Sequence, residues 1–412
     1  MSVHEEQISP RSILRIEKGQ LGPVAKTPDE GIEIRPFTLF IGKQGTGKSL
    51  VSQLVYFFEN LPFLSKYFAA RVEPQATATT IIRRAMDSLR SANRAFATFA
   101  APSVTITWHA TADEQPLSLS MDRRNRRVRP AKALEQRVEE FTASGYHVPP
   151  GGGALFVPAE RVLYSHGRPT AWQLLSLPVT LVLFADMMEQ VGELVEQWEG
   201  EPDTEEGQWA RQMGREMLRG EAYRWQKRWK WRVDEQTQMD IDMASSGQKA
   251  NWPLVLLAQA LPTWRRERFI GWPFSLHVEE PEIHLHPEAQ VLMVHLLAHL
   301  ARHGFRVVVS THSLTVLYAL NNLLLASALG EQTHEGVPPP EVRLSPEKVA
   351  AYLFDERGGV HSLLDEEERF VDEEMLGAID ALLGAEMNRI MVMTSRKGSQ
   401  EPQQEPQDAV FS

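Results

Sequence analysis

The most regular feature of the chain is a set of short, almost wholly apolar runs, each followed by residues of a different chemistry. Phe37-Thr38-Leu39-Phe40-Ile41 leads into a glycine loop, and Ala154-Leu155-Phe156-Val157 stops at Pro158-Ala159-Glu160-Arg161. Phe274-Ser275-Leu276-His277-Val278 leads into Glu279-Glu280-Pro281, and Phe305-Arg306-Val307-Val308-Val309 ends in Ser310-Thr311-His312-Ser313. Short apolar runs bounded by turn signals read as strands. Further strands are expected at 12–16, 32–34, 103–108 and 116–121, and in a hairpin made of 349–354 and 359–362. Elsewhere the spacing becomes helical. Leu50, Leu54, Phe57 and Leu61 recur at steps of four, three and four, which predicts a helix ending near Leu61-Pro62. Residues 63–101 read as a helical insertion in which 78–98 carry Ile81, Ile82, Met86, Leu89 and Phe96 inside and Arg83, Arg84 and Arg90 outside. Residues 168–200 and 252–261 read as further helices. In 223–233 the period is two: Tyr223, Trp225, Trp229, Trp231 and Val233 alternate with Arg224, Arg228, Lys230 and Arg232, and Lys227 is the one break. That pattern predicts one strand with its aromatics on a single face, returned by 238–243. Residues 148–153, 201–207 (acidic) and 331–342 read as loops, 365–374 as the start of an acid-rich surface helix, 1–10 as mobile and 398–407 as disordered. No internal repeat is visible.

Chemistry enters where the apolar runs end. Gly42-Lys43-Gln44-Gly45-Thr46-Gly47-Lys48-Ser49 reads GxxxxGKS and sits between a strand and the helix that Leu50 opens. This is the context a phosphate-binding loop requires. Glycines let the backbone N–H groups turn toward phosphate oxygens, and the helix N-terminus adds its positive end. In such a loop Lys48 reaches the β- and γ-phosphates and the Ser49 hydroxyl sits on Mg²⁺. Glu279 and Glu280, at the end of a buried strand, suit two tasks: the first holds Mg²⁺ through its water shell, the second orients and polarises the attacking water. A parallel neighbouring strand would bring His312 to the same C-terminal sheet edge, where ligands bind. There its imidazole can contact a γ-phosphate, and the same residues also suit a helix cap. Ala244-Ser245-Ser246-Gly247-Gln248 precedes a helix, as an ordinary cap or as a second anion site. This chain's own nucleotide is not the expected target there, because the glycine loop already supplies one helix terminus.

Composition narrows the partners. Apolar residues are 42% and charged residues 24% of the 412, an ordinary globular balance, and the net charge is −11. A broadly basic nucleic-acid surface is therefore not expected. One local run, Arg123-Arg124-Asn125-Arg126-Arg127-Val128-Arg129, reads as a solvated hairpin tip or as a phosphate-backbone contact. The interleaved aromatic and basic residues of 223–233 read as strand core or as a base-stacking surface. The absence of cysteine excludes disulfides, thiol chemistry and thiolate-bound metal. The most apolar stretch, 174–188, is shorter than the ~20 residues of a membrane span. The opening residues lack a signal-peptide pattern, so a soluble, cytoplasmic protein with no membrane partner is expected. His295, His299 and His303 recur on one helix face with no carboxylate placed among them, and read as solvated rather than metal-binding.

The order of glycine loop, Ser245-Ser246-Gly247-Gln248, carboxylate-ended strand and histidine-ended strand resembles that of the ATP-binding-cassette (ABC) ATPases. More narrowly, it resembles the OLD/RecF/SMC-like branch, the soluble AAA-type ATPases of the OLD family. Glu280-Pro281-Glu282-Ile283-His284-Leu285-His286-Pro287 is similar to that branch's EPExHLHP run. Phe156-Val157-Pro158-Ala159-Glu160-Arg161 is similar to its yiPaeR segment, near where other ABC ATPases place the Q-loop, and Asn321-Asn322-Leu323 fits the stretch after the histidine.

The resemblance implies an α/β P-loop NTPase of ABC type, with a mixed central sheet flanked by helices, an antiparallel β subdomain and helical insertions. It implies one head over 1–395. Within it 1–62, 102–165 and 221–243 form the nucleotide-binding β lobe, 63–101 and 166–220 are insertions, and 244–395 carry the signature, Walker B and switch elements; 396–412 would be a tail. It implies ATP and Mg²⁺ in a head-to-tail dimer or higher oligomer, sandwiched between Lys48 and Ser49 of one head and Ser246 and Gly247 of the other. Gly42, Lys43, Gln44, Gly45, Thr46, Gly47, Lys48, Ser49 and Leu50 with Ser245, Ser246, Gly247 and Gln248 form the nucleotide set. Ser49 and Glu279 form the metal set, and Lys48, Glu280 as general base and His312 as switch histidine form the catalytic set. Two positions depart from the family. Glu279 replaces an aspartate with a side chain one methylene longer, which can shift the Mg²⁺ geometry and slow turnover. No glutamine marks the Q-loop, where Glu160 or Arg161 stands in. His284 and His286 are expected as packing and dimer contacts. The expected function is that of an OLD-type ATPase without a TOPRIM nuclease domain. It would use ATP to control a separate effector, a nuclease or toxin, in prokaryotic anti-phage defence or DNA maintenance. One rival is an SMC/RecF-like clamp whose arginines at 123–129 and 224–232 touch DNA or RNA. The other is a transporter ATPase, against which stand SSGQ in place of LSGGQ and the large insertions.

Overall fold

The computed structural model describes residues 11–73, 76–90, 96–111, 114–143, 148–149, 152–165, 177–198, 201–271, 273–365 and 370–371. The expectations for 1–10, 168–176, 366–369, 372–374 and 396–412 lie outside them. β1 (Ser12–Leu21) and β2 (Ile32–Ile34) form an antiparallel pair, and the chain then enters β3 (Phe37–Ile41), buried throughout. The glycine loop feeds α1 (Lys48–Glu59), and α2 (Leu61–Ala69) starts at once, so the expected helix end is a turn at Asn60 between two helices. α3 (Ala78–Ser88) buries Ile81, Ile82, Ala85 and Met86 and exposes Arg83 and Arg84. It stops ten residues short of the expected helix, and Ala100 already belongs to β4 (Ala100–His109). β5 (Leu117–Asp122) and β6 (Arg127–Pro130) complete a five-stranded antiparallel sheet in the order β2-β1-β4-β5-β6. The sequence reading missed α4 (Lys132–Thr142), which buries only Leu134, Val138 and Phe141 in an otherwise charged stretch.

β7 (Ala154–Val157) is followed after Pro158 by a 3-10 turn (Ala159–Ser165), and later by α5 (Val179–Gln197). α6 (Glu205–Leu218) begins inside the expected acidic loop. Thr204 caps it by accepting from the Gly207 N–H at 3.1 Å, and Glu205 and Glu206 sit in the first turn, where the helix dipole favours acids. The single strand expected over 223–233 is two strands, β8 (Glu221–Trp225) and β9 (Arg228–Arg232), returned by β10 (Gln238–Asp240). The break at Lys227 marks a two-residue turn, with φ of 49° at Gln226 and 60° at Lys227. The turn resets the alternation: Ala222 pairs with Trp231 and Arg224 with Trp229, so Trp231 is buried while Trp225 on the other face is 61% exposed.

α7 (Ser246–Arg266) starts six residues before the expected helix. Then follow β11 (Ser275–Glu279), α8 (Pro287–Arg302), β12 (Arg306–Thr311), α9 (Leu314–Ala326), β13 (Val349–Phe354) and β14 (Val360–Ser362). Leu364–Asp365 and Phe370–Val371 pair as β15 and β16, so the acid-rich stretch does not open as a helix at these residues. On α8 the three histidines are not a solvated face. His299 is buried and stacks on Trp209 with ring centroids 4.1 Å apart, and burial pushes His295 down to about 4 and His299 to about 3. Among the described residues no group of three or more His, Asp or Glu is placed to hold a metal, and no helix is long and apolar enough to cross a membrane.

The central sheet has the order β14-β13-β3-β12-β11-β7, with every neighbouring pair parallel except β13 with the edge strand β14. Thr311 lies beside Ile41 and Glu279 beside Ser310, so three strand ends come level on one edge. The polar residues inside the apolar runs pin α1 to this sheet. His277 Nε2 lies 2.8 Å from Glu59 Oε2, Ser52 Oγ lies 3.3 Å from His277 Nδ1, and Arg306 pairs with the other Glu59 oxygen, with the side chains of the ion-paired groups buried. Burial pushes Glu59 up, but Arg306 and His277 outweigh it and hold the carboxyl at about 2. The architecture is that of an α/β P-loop NTPase, a mixed central sheet flanked by helices and accompanied by an antiparallel β layer.

Candidate nucleotide-binding site

Two glycines show why the loop needs this sequence. A Cβ on Gly42 would stand 2.3 Å from the Phe354 carbonyl oxygen on β13, and Gly47 caps α1 at φ 100°, a conformation L side chains rarely adopt. The loop is held by the Thr46 hydroxyl, which donates to the Lys43 carbonyl at 2.8 Å. Lys48 folds back into it. Its ammonium donates to the carbonyls of Gly42 and Lys43, both at 2.7 Å, and lies 3.2 Å from His312 Nδ1. Burial lowers Lys48 to about 8, with Glu280 and Glu282 pulling it partly back.

Glu280 leaves β11 with φ 44°, its N–H donating to the Ser310 carbonyl at 2.8 Å, and its Oε1 lies 3.1 Å from His312 Nε2. An ionised carboxylate only accepts, so Nε2 carries a proton. A neutral ring then accepts from Lys48 at Nδ1, and the three ammonium protons have three acceptors. Nδ1 is also 3.0 Å from the Gly42 carbonyl oxygen that Lys48 serves. Glu279 is buried, which raises its pKa, while a hydrogen bond from Ser49 and one from the Ala159 N–H (3.3 Å) lower it. One hydroxyl and one costly buried carboxylate fit the few protein oxygens that Mg²⁺ takes beside water and phosphate.

Lys48, Ser49, Glu280 and His312 line a cavity of about 320 Å³, as do Gln44, Gly45, Gly47 and Leu50. Ser245, Ser246, Gly247 and Gln248 are not among its described lining residues. They form a capping box at the start of α7, with Ser245 and Ser246 exposed. Three residues take places here that the sequence did not foretell. Glu282 accepts from the Thr311 hydroxyl at 2.6 Å and from the His312 N–H at 3.1 Å, which ties the ends of β11 and β12 together. Arg90, read as an outward residue of the insertion, lines the cavity. Arg161 is fully buried under the carboxylate strand rather than poised as a Q-loop residue, and Glu160 is exposed. His284 and His286 are exposed, so neither is a core residue of the chain.

Residues 226–317 match the AAA ATPase domain family, a stretch that includes Ser245–Gln248, both carboxylates and His312. No curated protein matches the chain. Among solved structures it is similar to an SMC head bound to the C-terminal winged-helix domain of ScpA, at 12% identity and TM-score 0.43, over 87% of this chain and 98% of that one. It is also similar to the SMC head domain of Thermotoga maritima (13%, TM-score 0.38, 87% and 98%). A third likeness is to an ATP-binding cassette of an ABC transporter in its ADP conformation (13%, TM-score 0.32, 87% and 92%).

Proposed function

We propose that this protein hydrolyses ATP at the Gly42–Leu50 loop, with Glu280 as general base and His312 as the residue that holds and senses it. The observation that carries this reading is the hydrogen-bonded chain Lys48–His312–Glu280, which crosses three strand ends at one cavity. Phosphate entering the loop draws Lys48 away from the Gly42 and Lys43 carbonyls and from His312 Nδ1, while His312 Nε2–H stays on Glu280. Glu280, held through His312 Nε2–H, takes the proton of the attacking water. Mg²⁺, held by Ser49 and Glu279, neutralises phosphate charge when bound. Ser245 and Ser246 are exposed and are not among the described residues lining the chain's own cavity, which supports use of the Ser245–Gln248 turn on the nucleotide of a second copy in a head-to-tail dimer. The motif resemblance further suggests a separate effector, a nuclease or toxin, as the output in anti-phage defence or DNA maintenance. Glu280→Gln should keep ATP binding and lose at least ~100-fold in phosphate release. An unchanged rate removes Glu280 from the mechanism.

A second reading, contact with DNA or RNA, is favoured by one patch. Arg83 and Arg84 of α3 and Arg126 of the β5–β6 turn all act on Asp87, and Arg123, Arg124, Arg126 and Arg127 are exposed beside them. Residues 224–232 support it less, because three of their five cations are engaged: Arg224 with Glu189, Arg232 with Glu221, Lys230 with Asp240. Reversing Arg126 and Arg127 to glutamate should weaken nucleic-acid binding and flatten its salt dependence. Unaltered affinity would exclude the patch.

A further inference from the structure

Arg161 spends every N–H it has on groups that matter to the site. Nε donates to the Ala250 carbonyl (2.8 Å), Nη1 to those of Glu279 (2.8 Å) and Pro158 (3.3 Å), and Nη2 to that of Glu280 (2.9 Å) and to Asn251 Oδ1 (3.1 Å). Both residues are fully buried. Asn251 passes the connection on, its Nδ2 donating to the carbonyls of Gly247 and Ile283, each at 2.9 Å. Backbones touch directly as well: a Cβ on Gly247 would stand 2.6 Å from the His284 carbonyl oxygen. The Ser245–Gln248 turn, the loop after Glu280 and the left-handed backbone of Glu280 are thus joined by one guanidinium and one amide. Burial lowers Arg161 to about 10, with Glu282, Glu280 and Glu279 opposing, so it stays charged at neutral pH.

We propose that Arg161 and Asn251 are positioning residues that make the Ser245–Gln248 turn and the Glu280 carboxylate of one chain a single rigid piece. Seating of that turn on a second copy's nucleotide then sets the geometry of Glu280 in its own site. The inference rests on the ATPase reading above and adds the coupling of the two sites.

Asn251→Asp separates the parts at nearly constant volume. Oδ1 still accepts from Arg161, but nothing remains to donate to Gly247 and Ile283. Arg161→Lys keeps the charge and loses the fork. Both variants should melt cooperatively and bind ATP within about threefold of wild type, yet lose about tenfold to a hundredfold in kcat, the range for a displaced catalytic group. Hydrogen exchange gives a readout independent of turnover. In the wild type, Mg-ATP should slow exchange in 245–249 and 280–286 together; in Asn251→Asp the two segments should respond separately. The proposal is overturned if both variants keep wild-type kcat, if the segments stay coupled in Asn251→Asp, or if either variant no longer melts cooperatively, which would make the pair a folding determinant. Loss of activity in Glu280→Gln alongside full activity in these two sinks the coupling and leaves the ATPase reading; full activity in Glu280→Gln sinks the latter.

Discussion

Lys48 is the residue whose state reports most on the site. Burial holds it at about 8 against an ordinary value of 10.5. Between these values the folded chain binds fewer protons than the unfolded one, so this group's contribution to stability rises with pH across that window. Bound phosphate restores the ammonium. ATP binding above pH 8 should therefore take up protons, and affinity should fall as pH rises; calorimetry at pH 8.5 in two buffers of different ionisation enthalpy measures it, and buffer-independent heats would contradict it. Glu279 has a separate signature. Glu279→Gln should raise half-saturating Mg²⁺ at least about tenfold, the scale on which losing a supporting ligand contact acts. An unchanged Mg²⁺ requirement would remove Glu279 from the metal set. The placement of Lys48, Ser49, Glu280 and His312 at one cavity was legible because each follows a mostly apolar run. Arg161 was singled out only as a stand-in at the Q-loop position; its buried carbonyl partners leave no periodic mark in the sequence.

The hairpin of β8 and β9 shows how an element is lost when a turn lacks its usual residues. Gln226 and Lys227 hold left-handed conformations that asparagine and glycine adopt at less cost. Read without a turn, the alternation put every tryptophan on one face; the two-residue turn exchanges the faces at its midpoint. Gln226→Asn with Lys227→Gly should stabilise the protein by about 1 kcal/mol, read as a higher melting temperature. A lower one would show that the turn's conformation costs nothing here. α4 was missed for a different reason: three buried apolar positions in a charged helix give too weak a period.

Across the whole molecule, the buried Arg306–Glu59–His277 group fixes α1, and with it the glycine loop, to the strands that deliver the carboxylates. Arg306→Met leaves a buried carboxylate without its cation and should cost about 3–5 kcal/mol in chemical denaturation. A loss below 1 kcal/mol would mean the charge is solvated. Glu59 is depressed to about 2 from an ordinary 4.5, so its contribution to stability is full above pH 4.5 and is lost as pH falls toward 2. The polar interruptions Arg306 and His277 were visible in the apolar runs, but the third member sits on a helix far away in sequence, and only the packed sheet brings the three together.

The composite site is tested most directly by light scattering on Glu280→Gln, with bound ATP counted in the same sample. Adding Mg-ATP should double the mass from the 46.6 kDa chain, with one ATP held per chain, and Ser246→Arg in the same background should abolish the doubling. A Glu280→Gln protein that holds one ATP per chain and stays at the mass of one chain would contradict a site completed by a second copy.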